Sequence, residues 1–261
     1  MGKRMIGKLR SAITRKPAAI FLAACALLTV PPFASRGFEL FRVPEITAYI
    51  LIHSVRRDCA PLFPFANGLA LLLLAGVLFR GALFYRPFSL FLSAAYLLAG
   101  ILQNVSVSDR YGFSVTVSIL IVALLTAGLW LREFLTDGRA VQPRADPRRL
   151  FALLPFALLA LWQPVHPETR LPDLQLRYFL SSGSSLTFCM LTIVSLSVMI
   201  YRFPEVDGLL LFVSATFGLL IGIGNLWLEF LYQPDLIWVG VLHIPLVGLS
   251  VVGLLLSHRE I

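Results

Sequence analysis

The chain has 261 residues, of which 58% are hydrophobic and only 14% are charged, whereas soluble domains carry about 25% charged residues. Its mean hydropathy is +0.83, and several apolar runs reach the ~20 residues that a helix needs to cross a bilayer. These values exclude a soluble enzyme and a soluble nucleic-acid-binding domain. They predict an all-α, multi-pass membrane protein.

The formal net charge of +8 arises between the apolar runs. Six of the 22 basic residues precede the first run, and five more lie in the polar loop in mid-chain: Arg132, Arg139, Arg144, Arg148 and Arg149. Basic residues near helix ends are retained on the cytoplasmic side, so this pattern indicates topology and not a nucleic-acid partner. The bilayer is the expected surrounding, and a membrane-protein partner or a homo-oligomer is left open.

Eight membrane spans are predicted from the apolar runs. They cover residues 17–35, 64–84, 87–105, 111–131, 149–164, 179–201, 208–231 and 236–257. With the N-terminus inside, 15 basic residues fall on the inner side and seven on the outer side. This count predicts a plasma (inner) membrane protein with both termini in the cytoplasm.

Two segments allow alternatives. The first run, followed by Phe33-Ala34-Ser35, also fits a signal peptide with a small-residue cleavage site. Segment 38–57 carries too many charges and prolines for a span, so we expect a short helix at the outer interface, with a re-entrant segment as the alternative.

Short motifs recur in the two halves in the same order. Arg42-Val43-Pro44-Glu45 resembles Arg170-Leu171-Pro172-Asp173, Tyr85-Arg86-Pro87 resembles Tyr201-Arg202-Phe203-Pro204, and the register of Leu90–Ala94 with Leu211–Ala215 places Asn104 on Asn225. Four spans per repeat leave both halves in the same orientation, which predicts a parallel 4+4 repeat. The predicted units are a basic cytoplasmic N-terminus, the first repeat, a cytoplasmic linker and the second repeat, at 1–16, 17–134, 135–148 and 149–261.

Ionisable residues are rare inside the predicted spans. His243 is the only histidine in a span, and Glu229 is the only acidic residue, close to the outer end of its span. Proton-coupled carriers usually hold a carboxylate nearer mid-membrane, so the position of Glu229 argues against such coupling. The sequence has no nucleotide-binding or zinc-protease motif, and we expect no cofactor and no metal.

The polar residues that recur or approach the predicted outer side are the candidate contacts for a substrate or partner. They are Arg42, Glu45, Asn104, Arg170, Asp173, Asn225, Glu229 and His243. Because proline fixes the backbone, the duplicated Arg-x-Pro-acid element should hold arginine and carboxylate in one geometry around a polar vestibule. The alternatives are solvated ion pairs worth about 0–1 kcal/mol each and, for His243, a bond to a carbonyl freed by Pro245.

Three classes of function fit these features. The first is a transporter or permease-like protein with a polar vestibule on the extracytoplasmic side. The second is a non-catalytic subunit or assembly factor of a membrane complex. The third is an enzyme that acts on a lipid-linked substrate at the outer leaflet through His243, Glu229 and the arginines. The sequence favours a non-enzymatic role and identifies no catalytic residue.

Overall fold

The computed structural model describes residues 17–136 and 147–258, most of which are helical, so the predicted all-α class is confirmed. The helices are α1 (Pro17–Leu28), α2 (Val43–Ile52), α3 (Phe63–Arg80), α4 (Ala82–Asn104), α5 (Val117–Thr136), α6 (Pro147–Trp162), α7 (Tyr178–Ser181), α8 (Phe188–Arg202), α9 (Gly208–Trp227), α10 (Ile237–Val241) and α11 (Ile244–Ser257). The basic N-terminus and most of the predicted linker lie outside the described residues.

Five helical segments are long and apolar enough to cross a bilayer. They lie within Leu40–Arg80, Leu83–Asn104, Val117–Thr136, Gly208–Leu231 and Ile237–Ser257. A sixth is a bent pair, Tyr178–Leu186 and Phe188–Arg202, whose axes differ by 94°. The described residues therefore hold five or six segments of spanning length, against the eight predicted.

The first predicted span ends earlier in the structure, and the fourth begins and ends later. Residues 105–115 form a hairpin of strands β2 (Val105–Ser108) and β3 (Gly112–Val115), and α5 begins only at Val117. A short strand β1 (Phe33–Ala34) pairs with β3, giving an antiparallel sheet of order β1-β3-β2. Helix α1 has only 12 residues, because the prolines at 31 and 32 cannot continue a helix.

Helix α8 forms the centre of the bundle, and each of its 15 residues is buried. It packs against α4, α6, α9 and α11. Small residues allow close helix approach on both sides of this centre: Gly100 of α4 lies against Ala123 of α5, and Gly218 of α9 lies against Ser250 of α11. Such contacts are typical of helix pairs in membranes, where van der Waals packing drives association.

The bundle has two polar ends. The hairpin end carries the sheet, α2, and the residues around 55–62, 163–187 and 228–243. At the opposite end Arg132 pairs with Asp207 at 3.0 Å, and the buried Arg202 guanidinium lies 4.1 Å from the centre of the Tyr85 ring. Glu133, which the predicted fourth span left outside, is buried there within α5 and accepts a hydrogen bond from Tyr85.

Candidate functional site

A cavity of about 560 Å³ lies at the hairpin end, and we call it the basic cavity. Its wall comes from the 3₁₀ segment Val55–Leu62, the chain between α6 and α8, and α10. Its charged lining residues are all arginines, Arg56, Arg57, Arg170 and Arg177. The described residues contribute no aspartate or glutamate to the wall, so its fixed charge is strongly positive.

Arg56 is held in the wall of the basic cavity by hydrogen bonds. Its Nη1 atom donates to the Thr187 hydroxyl at 2.6 Å and to the Gly183 carbonyl at 3.3 Å. Its Nε atom is buried without a hydrogen-bond partner. A Cβ atom on Gly183 would come within 2.5 Å of that Nη1, so a side chain at this position would displace the guanidinium.

Arg170 is held by a tight loop after α6. Its backbone nitrogen donates to the His166 carbonyl at 3.0 Å, and Val165 forms an isolated β-bridge with Pro172 across the loop. The φ angle of Arg170 is +60°, and that of Gln163, another lining residue, is +46°. Left-handed backbone is uncommon outside glycine and concentrates at functional sites, and in the described chain these two non-glycine examples both line the basic cavity.

The two Arg-x-Pro-acid elements differ in structure. Arg42 donates to both carboxylate oxygens of Glu45, at 2.9 and 3.2 Å. Within the described ranges no ion pair joins Arg170 to Asp173. The Asp173 carboxylate instead accepts hydrogen bonds from the Tyr178 hydroxyl at 2.6 Å and from Gln175 at 3.0 Å. The expectation of one shared geometry is therefore wrong for the second element.

The Arg42–Glu45 pair belongs to a separate cluster. Glu45 also accepts from the Arg110 guanidinium and, at 3.2 Å, from the Tyr111 hydroxyl. This cluster fastens α2 to the hairpin, and Tyr111 packs beneath it with Ile46. Arg42 and Glu45 are bonded to these neighbours and lie outside the basic cavity.

Repulsion among the arginines shapes the electrostatics of the basic cavity. Arg170 and Arg57 both lie close enough to Arg56 to repel its charge. Arg177 lies over the Tyr178 ring at 5.4 Å, a contact that stabilises a cation only modestly. Because positive charges crowd a partly desolvated space, an anion in the cavity would be strongly favoured.

Three of the predicted site residues meet in a second, buried cluster. The His243 Nδ1 atom lies 2.9 Å from the Glu229 carboxylate and 3.1 Å from the Val239 carbonyl oxygen. The amide nitrogen of Asn225 lies 2.9 Å from His243 Nε2 and 3.3 Å from the Cys189 sulfur. Donation from Asn225 to Nε2 leaves the proton of a neutral imidazole on Nδ1. The expected bond to a carbonyl freed by Pro245 is not observed: the imidazole contacts the Val239 carbonyl, which also accepts from the Leu242 backbone nitrogen, and the Glu229 carboxylate lies beside it.

Asn104 joins neither cluster. Its amide donates back to the Gly100 carbonyl at 3.0 Å within α4, and its side-chain oxygen is buried without a partner. Its contacts thus differ from those of Asn225, with which the sequence aligns it.

The buried side-chain amide of Asn67 links the two halves of the chain, and the sequence analysis does not single it out. The Asn67 side chain of α3 donates to the Ser182 carbonyl at 2.7 Å and accepts from the Ser185 backbone nitrogen at 3.2 Å. The hydroxyls of Ser184 and Ser185 also donate to its oxygen. Asn67 is fully buried. The feature of the sequence that could have identified it is a side-chain amide within an otherwise apolar run.

An apolar groove of about 680 Å³ lies between α2 and the end of α9. Its walls include Tyr49, Ile52, Trp227 and Leu228, with Glu45 at one edge. It is larger than the basic cavity, but Glu45 is the one Asp, Glu, Lys or Arg among its described lining residues, so it is the weaker candidate for a specific polar ligand.

Metal binding has no support in the described residues, since no three His, Cys, Asp or Glu side chains there are placed to share an ion. No family model, curated protein or solved structure matches the chain at a significant level.

Proposed function

We propose that the protein is a permease-like membrane protein whose basic cavity receives an anionic solute or headgroup on the extracytoplasmic side. The observation that supports this most is the gathering of Arg56, Arg57, Arg170 and Arg177 around one cavity to which the described residues bring no carboxylate. Arginine presents a planar fork that matches carboxylate and phosphate oxygens. Crowding such cations without a counter-ion is unfavourable unless an anion arrives from outside.

The size and mixed wall of the cavity favour an organic anion. At about 560 Å³ it lies within the range of roughly 300–1,000 Å³ that is typical of small-molecule sites. Phe63, Val239 and Leu242 add apolar groups to the same wall as the arginines. A ligand with a phosphate or carboxylate group and an apolar or neutral remainder fits both surfaces.

The proposed topology has eight spans, with both termini in the cytoplasm of a cell with an inner membrane. Here α1 and α6 act as short spans, α2 lies at the outer interface, and the hairpin end faces outward, because 15 of the 22 basic residues then lie inside. Four of the seven outer basic residues line the basic cavity. Since topology disfavours arginine on the outer side, their convergence supports a binding role.

The parallel 4+4 repeat remains part of the proposal. Helix α4 pairs closely with α5 as α9 pairs with α11, each through a small-residue contact. The hairpin 105–115 has no counterpart in the link from α9 to α11, and the Arg-x-Pro-acid elements differ in their contacts. The two halves have therefore diverged most at the hairpin end, where the ligand is proposed to bind.

One alternative has a specific observation in its favour. An enzyme acting on a lipid-linked substrate would need an anionic headgroup site beside ionisable groups, and His243 directly follows Leu242, which lines the basic cavity. However, neither His243 nor Glu229 lines that cavity. A permease-like role, which requires binding and no catalytic residue, is the simpler proposal.

The test uses the full-length protein in lipid nanodiscs and in sealed vesicles. Binding of glycerol 3-phosphate and of citrate is measured by calorimetry, with Arg170→Ala as the test variant and Arg42→Ala as the matched control outside the cavity. We expect binding to the wild type and the control, weakened at least ~10-fold in Arg170→Ala. Accumulation of the labelled anion in vesicles supports transport, whereas binding without accumulation would move the proposal to the subunit or enzyme class.

A further inference from the structure

Glu229 and His243 lie at irregular turns of two helical segments of spanning length. Glu229 belongs to a π-helical turn, Leu228–Tyr232, that ends α9. His243 occupies the break between α10 and α11, one residue before the latter begins. Single π-turns often mark functional sites, and interrupted helices carry the coupling-ion sites of many transporters.

The surroundings of this pair admit very small ligands only. The side chains of Glu229 and His243 are 10% and 6% exposed, and neither lines the basic cavity or the apolar groove. The groups facing the pair are the Asn225 amide from α9, the Cys189 thiol from α8 and the Val239 carbonyl from α10. Across the described residues, no arginine lies within ion-pair distance of Glu229.

We propose that Glu229 and His243 form a proton-binding site coupled to anion binding in the basic cavity. This inference rests on the proposed function and names the ion that accompanies the anion. Helix α10 and the residue after it join the two sites: Val239 and Leu242 line the basic cavity, while the Val239 carbonyl faces the His243 imidazole. A shift of this five-residue helix on ligand binding changes both sites together.

The sign of the coupling follows from charge. With one proton on the pair, Glu229 and His243 are together neutral; a second proton makes the pair positive. An anion in the basic cavity favours the positive state, so anion binding draws in a proton, and by reciprocity protonation tightens anion binding. We therefore expect anion affinity to rise as pH falls. The position of Glu229 near the end of its span argued against coupling, but its burial beside His243 outweighs that argument.

The first test counts protons. Calorimetry of glycerol 3-phosphate binding in buffers of different ionisation enthalpy gives the number of protons taken up with the anion. The wild type should take up about one proton, and Glu229→Gln should take up clearly fewer. Glu168→Gln, the same change on an exposed loop carboxylate at the hairpin end, is the control and should behave as wild type. Equal uptake in Glu229→Gln would overturn the proposal.

A second measurement does not depend on the anion. Infrared difference spectra of the protein between about pH 5 and pH 9 should contain a carboxyl band that Glu229→Gln removes and that His243→Gln shifts. The lack of any such band would overturn the proton site. If no anion binds to the wild type, the proposed function and the coupling both fail, and the infrared titration still decides whether the pair binds protons.

Discussion

The Arg56 guanidinium donates to the Thr187 hydroxyl at 2.6 Å, and this bond joins the segment before α3 to the residue that precedes α8. The residues are 131 positions apart in the chain. The wall of the basic cavity therefore exists only when the first half of the chain packs on the break between α7 and α8. Anion binding should consequently report on the packing of the two halves as well as on the arginines.

The first prediction concerns Arg170. Arg170→Ala should weaken anion binding at least ~10-fold, because a charge-assisted, bidentate contact is lost. Arg170→Lys should restore it only in part, since lysine lacks the planar fork. Calorimetry in nanodiscs measures both.

The same replacement at Arg42 provides the comparison. Arg42 is about 41% exposed and pairs with Glu45 outside the cavity, so Arg42→Ala should have little effect on stability and leave binding unchanged. Equal loss of binding in the two alanine variants would show that general surface charge, and not the basic cavity, attracts the anion.

The second prediction uses a glycine. In Gly183→Ala the new Cβ would meet Arg56 Nη1 at 2.5 Å, so the guanidinium must move away from Thr187 and anion affinity should fall several-fold without loss of any charge. Gly68→Ala is the matched control, because its Cβ would meet only Leu180 at 3.9 Å, an ordinary contact. Unchanged affinity in Gly183→Ala would show that the position of Arg56 is unimportant for binding.

The sequence predicted the helical membrane class and most helix positions, because apolar runs of spanning length have few other stable structures. The ends of helices were predicted less accurately where a segment with several polar side chains directly adjoins an apolar run. Residues 111–116 were assigned to a span, yet Ser114 and its neighbours pair in the hairpin. Alternating valine and serine fits both a strand and a helix end, and only the partner strand decides between them.

The candidate site was predicted in part for a similar reason. Asn225, Glu229 and His243 were each visible as polar residues in apolar runs, and the fold brings them together. The role of Arg56 was not visible, because one arginine in a charged segment resembles any other until its neighbours across the chain are known. The similarity of the two Arg-x-Pro-acid elements also led to a wrong expectation of equal geometry. In the second element the Asp173 carboxylate accepts a hydrogen bond from the Tyr178 hydroxyl.

The third prediction is a pH dependence of stability. Burial, together with the hydrogen bond to the Glu45 carboxylate, raises the pKa of Tyr111 above its ordinary value of 10.0. A pKa raised in the folded state means that the contribution of Tyr111 to stability is complete below about pH 10 and is lost as pH rises through the folded value. Thermal unfolding measured at increasing alkaline pH should show this loss, and Tyr111→Phe should remove it.

Tyr49→Phe is the control for that experiment. Tyr49 packs edge-on against Tyr111 with ring centres 5.0 Å apart, so its replacement preserves the aromatic contact and leaves the Tyr111 hydroxyl in place. An alkaline step that persists unchanged in Tyr111→Phe would assign the effect to another group.

The fourth prediction is the orientation of the chain. In a background carrying Cys25→Ser and Cys59→Ser, Glu168→Cys at the hairpin end should react with a membrane-impermeant maleimide on intact cells. Thr136→Cys at the opposite end should react only after permeabilisation, because the excess of basic residues retains that end in the cytoplasm. Both positions are exposed, so accessibility differs only by side, and the reverse labelling would refute the proposed topology.

The last prediction compares two buried asparagines. Asn67 is fully buried, and its amide bonds the Ser182 carbonyl and the Ser185 nitrogen across the two halves. Asn67→Ala leaves these groups unpaired away from water and should lower the unfolding free energy by about 3 kcal/mol. Asn104 is equally buried but makes one bond within its own helix and already carries an unpaired oxygen. Asn104→Ala should therefore cost less than about 1 kcal/mol. Unfolding in detergent, followed by circular dichroism, gives both values, and equal losses would show that the Asn67 network does not join the two halves.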